Sequence, residues 1–147
     1  MFDELKKEYD NKYNEELNKT GLFWAFNRKQ FDENKTHKNA PDSEYLTIGD
    51  GGYIHKSNKN NLDNFFKIIA PKLNKDFTSK IKIDDLIEYE LENHECYYTG
   101  DFSLVVVAVK DYYNELSNKE IIEKVKSIYD KNVSKIVEEY DEEKINI

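Results

Sequence analysis

The chain of 147 residues contains a single cysteine, Cys96, so no disulfide can form within it. One thiol without a partner is typical of proteins in a reducing compartment. Residues 1–13 carry charges throughout and lack the apolar run of a signal peptide. No stretch approaches the roughly 20 apolar residues of a membrane span. We therefore expect a cytoplasmic protein that does not cross a membrane.

Proline and glycine are also scarce, with two prolines and five glycines. No segment is rich enough in either residue to form a linker, and the sequence shows no internal repeat. Because the length suits one hydrophobic core, we expect a single domain over residues 1–147. Within it, we expect an N-terminal helix over 1–20, a sheet with one short helix over 22–57, a helical region over 60–140 and an acidic tail over 141–147.

Positive charge is in deficit, since 22 Lys and Arg stand against 30 Asp and Glu, which gives a formal net charge of −8. A surface with this balance repels the phosphates of DNA and RNA, which argues against direct nucleic-acid binding. Plain solvation explains the acidity in the simplest way. A partner with a basic surface is the alternative explanation.

Apolar residues that recur every three or four positions predict helices over most of the chain. Phe2–Asn18 has this spacing at the N-terminus. A stripe from Leu62 to Ile81 has it again. Pro71 lies within that stripe, so the helix is expected to kink or break near Ala70.

Two capping boxes indicate where further helices begin. Asn27, with Gln30 three residues later, begins a short helix that runs to about Lys35. Ser117, with Glu120 three residues later, begins the last helix. We expect that helix to extend to about residue 140, with an apolar stripe that includes Ile121, Val125, Ile128, Tyr129, Ile136 and Tyr140.

Short β-type runs predict a small sheet. Leu22–Phe26 is too short for a helix. Tyr45–Ile48 and Tyr53–His55 flank a Gly-Asp-Gly-Gly segment, whose glycines permit the positive φ of a tight hairpin. A phosphate-binding loop is the alternative, but no Lys-Ser/Thr follows and no helix opens directly there. The expected fold class is α+β, with a small antiparallel sheet of about three strands packed against a mostly helical body.

Ile83–Asp101 holds the densest group of distinctive side chains. Its spacing predicts one helix that packs its apolar side on the sheet. The residues of that side are Ile83, Leu86, Ile87, Leu91, His94 and Tyr98. The segment also contains seven acidic residues and no Lys or Arg, so its other side is expected to be wet and negatively charged.

Residues 102–113 are ambiguous. They contain four valines, which favour a strand. Asp101 is a plausible N-cap, and the segment continues to Tyr113 without a turn signal, which favours a helix. We expect a helix.

His94 and Cys96 are residue types that bind zinc. On a helix, residues two positions apart point about 200° from one another, so the pair cannot share one ion. No zinc-type spacing occurs elsewhere, and nothing places a base or an oxyanion donor beside the thiol. We expect no metal, no cofactor and no catalytic residue, although an acid/base pair among the carboxylates of the segment stays open.

Aromatic and histidine side chains of the strands could meet those of the acidic segment if the two pack together. Such a group would line a pocket or anchor an interface. A tyrosine-rich core whose hydroxyls reach the surface is the alternative. The candidate binding residues are Trp24, Tyr53, His55, Glu90, His94, Glu95, Tyr97, Tyr98 and Asp101.

The chain resembles a family of small uncharacterised proteins encoded by bacteriophages and bacterial mobile elements. The likeness spans about Phe23–Phe102 and rests on three segments, FWAFNRKQFDENK from Phe23, GDGGYIHKSN from Gly49 and LIEYELENHECYYTGDF from Leu86. In that family an aromatic-Ala-Phe strand precedes a short helix, a Gly-Gly segment follows, and an Asn-His-Glu segment precedes a Tyr-Thr-x-Asp turn.

The resemblance implies a role in phage–host interaction, including inhibition of a bacterial defence system such as CRISPR. We therefore expect a non-catalytic protein in the cytoplasm of a bacterial host. It would bind a host protein with a basic surface, such as a nuclease, because acidic side chains can stand in for nucleic-acid phosphates. The alternative is a small-molecule-binding or catalytic domain that uses a His/Tyr/Glu pocket. The sequence leaves the oligomeric state open.

Overall fold

The computed structural model describes the backbone of residues 1–145 and the side chains of residues 1–139. The described chain is mostly helical and contains a small antiparallel sheet, which confirms the α+β class. Its contacts group into two compact units. We call residues 3–77 the N-terminal unit and residues 1–2 with those from 78 onward the C-terminal unit. The single domain stays a prediction, and the predicted acidic tail lies outside the described side chains.

The N-terminal unit contains the sheet. Its strands are β1 (Phe23–Trp24), β2 (Tyr45–Ile48) and β3 (Gly52–His55), and β3 lies between the other two. Both neighbours pair with β3 in antiparallel orientation. The first strand is shorter than the predicted Leu22–Phe26, because only two of its residues pair with β3.

The predicted hairpin between β2 and β3 is confirmed. Ile48 pairs with Gly52, which leaves a turn of Gly49, Asp50 and Gly51. Gly49 and Gly51 have φ values of +61° and +84°, which residues other than glycine rarely adopt.

Side chains alternate between the two faces of the sheet. One face, which we call the aromatic face, carries Phe23, Tyr45 and Tyr53. These rings pack with Phe31 of α2 (Arg28–Asn34). The capping box that begins α2 is confirmed, since the Asn27 side chain accepts a hydrogen bond from the N–H of Gln30.

The opposite face of the sheet is mostly aliphatic, with Trp24 as its aromatic member. Ile54 is fully buried there and clusters with Leu62 of α3 (Lys59–Asn64). Leu17 of α1 (Phe2–Asn18) packs against the same cluster. Helices α1 and α3 therefore pack around Ile54 on this face, whereas α2 packs on the aromatic face.

Helix α3 continues through a π-helical turn, Phe65–Ile69, into α4 (Ala70–Lys80). The N–H of Ala70 donates to the carbonyl of Phe65, five residues back. Pro71 has no N–H, and its ring crowds the carbonyl four residues before it, which a wider turn relieves. The irregularity predicted near Ala70 is thus a change of helix type.

The C-terminal unit is helical. Its helices are α5 (Ile83–Asn93), α6 (Cys96–Thr99), α7 (Ser103–Tyr112) and α8 (Asn118–Ile145). Residues 102–113 therefore form the expected helix. The second capping box is reciprocal, because the N–H of Ser117 donates to the Glu120 carboxylate and the N–H of Glu120 donates to the Ser117 hydroxyl.

One buried cluster holds the helices of this unit together. It comprises Ile87, Leu91, Cys96, Val105, Val109, Ile121 and Val125, all fully buried. The apolar side of α5 therefore packs on α7 and α8. The sheet was predicted as its partner, and that prediction is wrong because the residues around Ile87 and Leu91 come from these two helices. The stripe predicted for α8 is only partly right, since Ile136 is 51% exposed and the Tyr140 side chain lies outside the described residues.

The prediction of one helix over Ile83–Asp101 is wrong. Glu95 has a φ of +53°, and a residue in this left-handed conformation interrupts the helical hydrogen-bond pattern. The chain resumes as α6 with a changed orientation of its side chains. Cys96 consequently enters the core, while Tyr98, predicted for the buried side, is 92% exposed.

Candidate functional site

The two units divide the candidate residues between them. Trp24, Tyr53 and His55 lie in the N-terminal unit, whereas Glu90, His94, Glu95, Tyr97, Tyr98 and Asp101 lie in the C-terminal unit. Tyr53 is half-buried on the aromatic face, where it stacks on Phe23 with ring centroids 5.9 Å apart. Trp24 is half-exposed and lies against Gly52, so it is the more accessible of the two rings.

His55 ends β3 and is almost completely buried. Its Nε2 lies 2.7 Å from a carboxylate oxygen of Glu44, and its Nδ1 lies 2.7 Å from the Ser57 hydroxyl. The backbone N–H of Ser57 also donates to Nδ1, at 3.2 Å. Because Nδ1 accepts, the ring proton is on Nε2 and is donated to Glu44. This hydrogen bond lowers the pKa of Glu44 below its ordinary value, and the nearby Lys56 charge adds to the effect.

A second imidazole covers the first. The rings of His37 and His55 stack with centroids 3.9 Å apart. The Nε2 atom of His37 lies 3.4 Å from the Ser57 hydroxyl, and its Nδ1 lies 2.9 Å from the Thr36 hydroxyl. The Tyr45 hydroxyl fixes the backbone of His37, because it accepts from the N–H and donates to the carbonyl.

An open groove of about 630 Å³ lies on the aromatic face. Its walls include Phe26, Phe31 and Tyr53, and an ion pair between Arg28 and Asp42 borders it. Tyr45 also lines the groove, and its ring packs edge-on against His55 with centroids 5.2 Å apart. The groove and the histidine pair therefore share one face of the sheet.

In the C-terminal unit, Glu90 was expected on the solvent-exposed side of the helix, but the structure buries it. It is almost completely buried, and its carboxylate lies 3.2 Å from the Nε2 of His94, four residues later. This spacing places two helical side chains side by side. Burying a carboxylate is costly unless it is paired, so His94 has a clear structural role here.

Residues 94–101, which we call the Tyr98 segment, are fixed by local hydrogen bonds. The N–H of Gly100 donates to the carbonyl of Cys96 at 2.8 Å. The Asp101 carboxylate accepts from the N–H and the hydroxyl of Ser103, and these bonds lower the pKa of Asp101. Tyr98 thus projects from a well-braced backbone.

Exposed carboxylates lie within this segment and in the helix before it. They belong to Asp84, Asp85, Glu88, Glu92, Glu95 and Asp101, and we call them, with Tyr98, the acidic surface. Within the described part of the chain, none of these carboxylates forms an ion pair with Lys or Arg. The surface therefore keeps its negative charge.

The family model for a family of unknown function matches residues 5–145. The chain belongs to this family, DUF7659. The match includes nearly all of α1 and α8, which lie outside the three segments that carry the sequence resemblance. No curated protein and no solved structure matches the chain.

Two further side chains of this DUF7659 chain, Tyr97 and Cys96, pack against other residues and are largely closed to a ligand from solvent. Tyr97 stacks on Tyr129, accepts a hydrogen bond from Asn132, and has its pKa raised by burial. Cys96 lies in the core, where burial raises the pKa of its thiol and the Asp101 charge adds to that shift. Among the side chains described, no three His, Cys, Asp or Glu residues are grouped to hold a metal ion.

None of the described helices of this DUF7659 chain has both the length and the apolar character that a membrane crossing needs.

Of the residues around the histidine pair, only His55 was predicted from the sequence as a candidate; His37, Glu44 and Ser57 were missed. The residues come from separate segments, and only the His-x-Ser spacing at the end of β3 was visible beforehand. Glu90 and His94 were predicted as separate candidates, although their spacing of four residues on a helix is enough to pair them.

We expect Cys96 to react with iodoacetamide at least about 100-fold more slowly in the native protein than in denaturant, because a buried thiol reacts only after the structure opens. Intact-mass spectrometry over a time course measures this directly, since the chain has one cysteine. Equal rates in the two samples would show that the cluster around α5, α7 and α8 does not enclose the thiol.

Proposed function

We propose that this is a protein of a phage or mobile element that binds a host protein through its acidic surface, and that this surface acts by binding and not by catalysis. The supporting observation is that exposed carboxylates without ion-pair partners accompany a fully exposed tyrosine on a braced segment. A partner with a basic surface complements this arrangement.

The charge of the acidic surface contrasts with that of the N-terminal unit. There, ion pairs neutralise many exposed acids, including Asp10 with Lys6, Glu8 with Lys12, and Asp32 and Asp42 with Arg28. Asp84, Asp85, Glu88 and Glu92 recur at helical spacing on one side of α5, and Glu95 and Asp101 follow in the Tyr98 segment. Negative potential is therefore concentrated along this part of the chain. Such a potential raises the rate at which a cationic partner associates.

Tyr98 provides the other part of a binding surface. Tyrosine is enriched among residues that contribute most to binding energy, because it buries a large ring and also forms a hydrogen bond. Its backbone is held by the Gly100 and Asp101 hydrogen bonds, so little conformational entropy is lost when a partner covers it.

The partner we propose is a bacterial defence nuclease, so that the protein acts as an anti-CRISPR-like inhibitor. The resemblance to proteins of phages and mobile elements supports this choice. A nuclease has a basic cleft for nucleic acid, and a row of carboxylates can occupy such a cleft in place of phosphates. Inhibition would then require binding alone.

The test is binding to the nuclease recovered from the host lysate on the immobilised chain. We expect Tyr98→Ala to weaken binding by at least about 30-fold, which corresponds to about 2 kcal/mol. Phe26→Ala is the matched control, since Phe26 is an aromatic residue 75% exposed in the N-terminal unit. The association rate should also fall steeply as salt is added.

Two results would contradict this proposal. One is a partner whose binding is the same for wild type, Tyr98→Ala and the charge reversal Glu92→Lys. The other is an association rate that does not change with salt concentration, which would exclude attraction by the carboxylates.

A further inference from the structure

We propose that Ser57, His55 and Glu44 form a nucleophilic site that cleaves small carboxylic esters. This activity goes beyond the binding role, because it uses residues of the N-terminal unit that the acidic surface does not include. It rests on the geometry at the end of β3.

Each contact that an activated serine needs is present. The Ser57 hydroxyl lies 2.7 Å from the Nδ1 of His55, so the imidazole can accept its proton. The other ring nitrogen lies 2.7 Å from the Glu44 carboxylate, which orients the ring and stabilises the imidazolium. The ring is turned over relative to the common triad, but either nitrogen of imidazole can serve as the base.

The base is buried and the nucleophile is exposed, as this reaction requires. The His55 side chain is almost completely enclosed, whereas Ser57 is exposed and accessible to a substrate. Enclosure reduces the screening by water, so the attraction between the imidazolium and Glu44 is stronger than at an open surface.

His37 supplies a hydrogen-bond donor next to the nucleophile. The Thr36 hydroxyl can donate to its Nδ1, which leaves the proton on Nε2, directed at the Ser57 oxygen from 3.4 Å. A donor in this position can stabilise negative charge on a carbonyl oxygen that has been attacked by Ser57. The two hydrogen bonds between the Tyr45 hydroxyl and the backbone N–H and carbonyl of His37 hold that backbone in place.

The reaction has two balanced stages. The Ser57 oxygen attacks the ester carbonyl carbon, and its proton passes to the Nδ1 of His55. The tetrahedral adduct then expels the alcohol, which takes that proton and leaves an acyl-serine. Water attacks the acyl-serine with transfer of a proton to Nδ1, and collapse of this second adduct returns the proton to Ser57 and releases the acid.

The exposure of Ser57 indicates the class of substrate. The groove on the aromatic face is lined by Tyr45 but not by Ser57, His55 or Glu44, so it lies beside the site and does not enclose the serine. An exposed serine suits a small ester that needs no extended binding contacts.

A fluorophosphonate probe tests the site, because it forms a covalent bond to an activated serine with loss of fluoride. We expect one adduct on the full chain, located on Ser57 by peptide mapping, together with hydrolysis of p-nitrophenyl butyrate. Ser57→Ala should abolish both. The matched control is Ser134→Ala, since Ser134 is exposed like Ser57 but its hydroxyl donates to the backbone carbonyl of Asp130 and not to a histidine, and this variant should keep both activities.

The contribution of the histidine is tested by two variants, one at His55 and one at Glu44. His55→Gln should slow labelling of Ser57 by about 10³-fold or more. Because loss of His55 can disturb folding, Glu44→Gln is measured alongside it, with circular dichroism on each; glutamine can still accept from Nε2, and labelling should slow while the fold is kept. A folded wild-type chain without a Ser57 adduct would overturn the proposal, as would Ser57→Ala hydrolysis at the wild-type rate. Neither result depends on Tyr98.

Discussion

Gly52→Ala is expected to destabilise the protein by about 3 kcal/mol or more, because the added methyl group has no space. A Cβ atom at Gly52 would lie 2.2 Å from the carbonyl oxygen of Ile48 and 3.2 Å from the Trp24 ring. The oxygen belongs to the backbone of the hairpin, so it cannot move without loss of the strand pairing. Chemical unfolding followed by circular dichroism measures the change in the free energy of unfolding.

The matched control for this prediction lies in the same hairpin. Gly49 has a φ of +61°, but a Cβ there would meet nothing within 4 Å. Gly49→Ala should therefore cost only about 1 kcal/mol, the cost of a left-handed conformation. Equal losses for the two variants would show that the register of Ile48 with Gly52 is not the one described.

Leu91→Ala is expected to cost about 3 kcal/mol, because Leu91 is fully buried in the cluster of α5, α7 and α8 and truncation leaves a cavity. Leu104→Ala makes the same chemical change at a residue 63% exposed on α7, and it should alter stability by less than about 0.5 kcal/mol. Unfolding of both variants under the same conditions provides the comparison. Similar losses would mean that α5 does not pack its apolar side as described.

Local chemistry explains why the sequence predicted most helix starts and the hairpin. The Asn27 and Ser117 boxes work through bonds to residues three positions away, and the glycines between β2 and β3 act on their own backbone. Such signals need no knowledge of distant residues. For the same reason the mid-helix proline was recognised, although its effect, a π-helical turn, was not.

The end of α5 was missed because periodicity does not detect one residue with a positive φ. The spacing from Leu91 to Tyr98 continues in the sequence, while Glu95 interrupts it in three dimensions. Tyr98 was therefore chosen as a candidate for a buried face, and its exposure became apparent only in the structure. The packing of α5 on α7 and α8 depends on contacts between distant residues, for which the sequence carries no local signal.

The site around His55 was missed for a related reason. Glu44 reaches it from the 3₁₀ turn Asp42–Glu44, His37 from a loop, and Ser57 from the 3₁₀ turn Lys56–Asn58. Their meeting depends on the register of β2 with β3. Only a structure reveals that Tyr45 and His55 are cross-strand partners. The groove beside them likewise depends on how α2 covers the aromatic face.

The central claim is that a basic partner binds the acidic surface. Hydrogen–deuterium exchange of the chain, alone and with the captured partner, tests it most directly, because it reports which backbone amides become protected. We predict that protection on binding is concentrated in residues 84–101 and disappears with Tyr98→Ala. Protection concentrated instead in β2 and β3, with residues 84–101 unchanged, would contradict the claim.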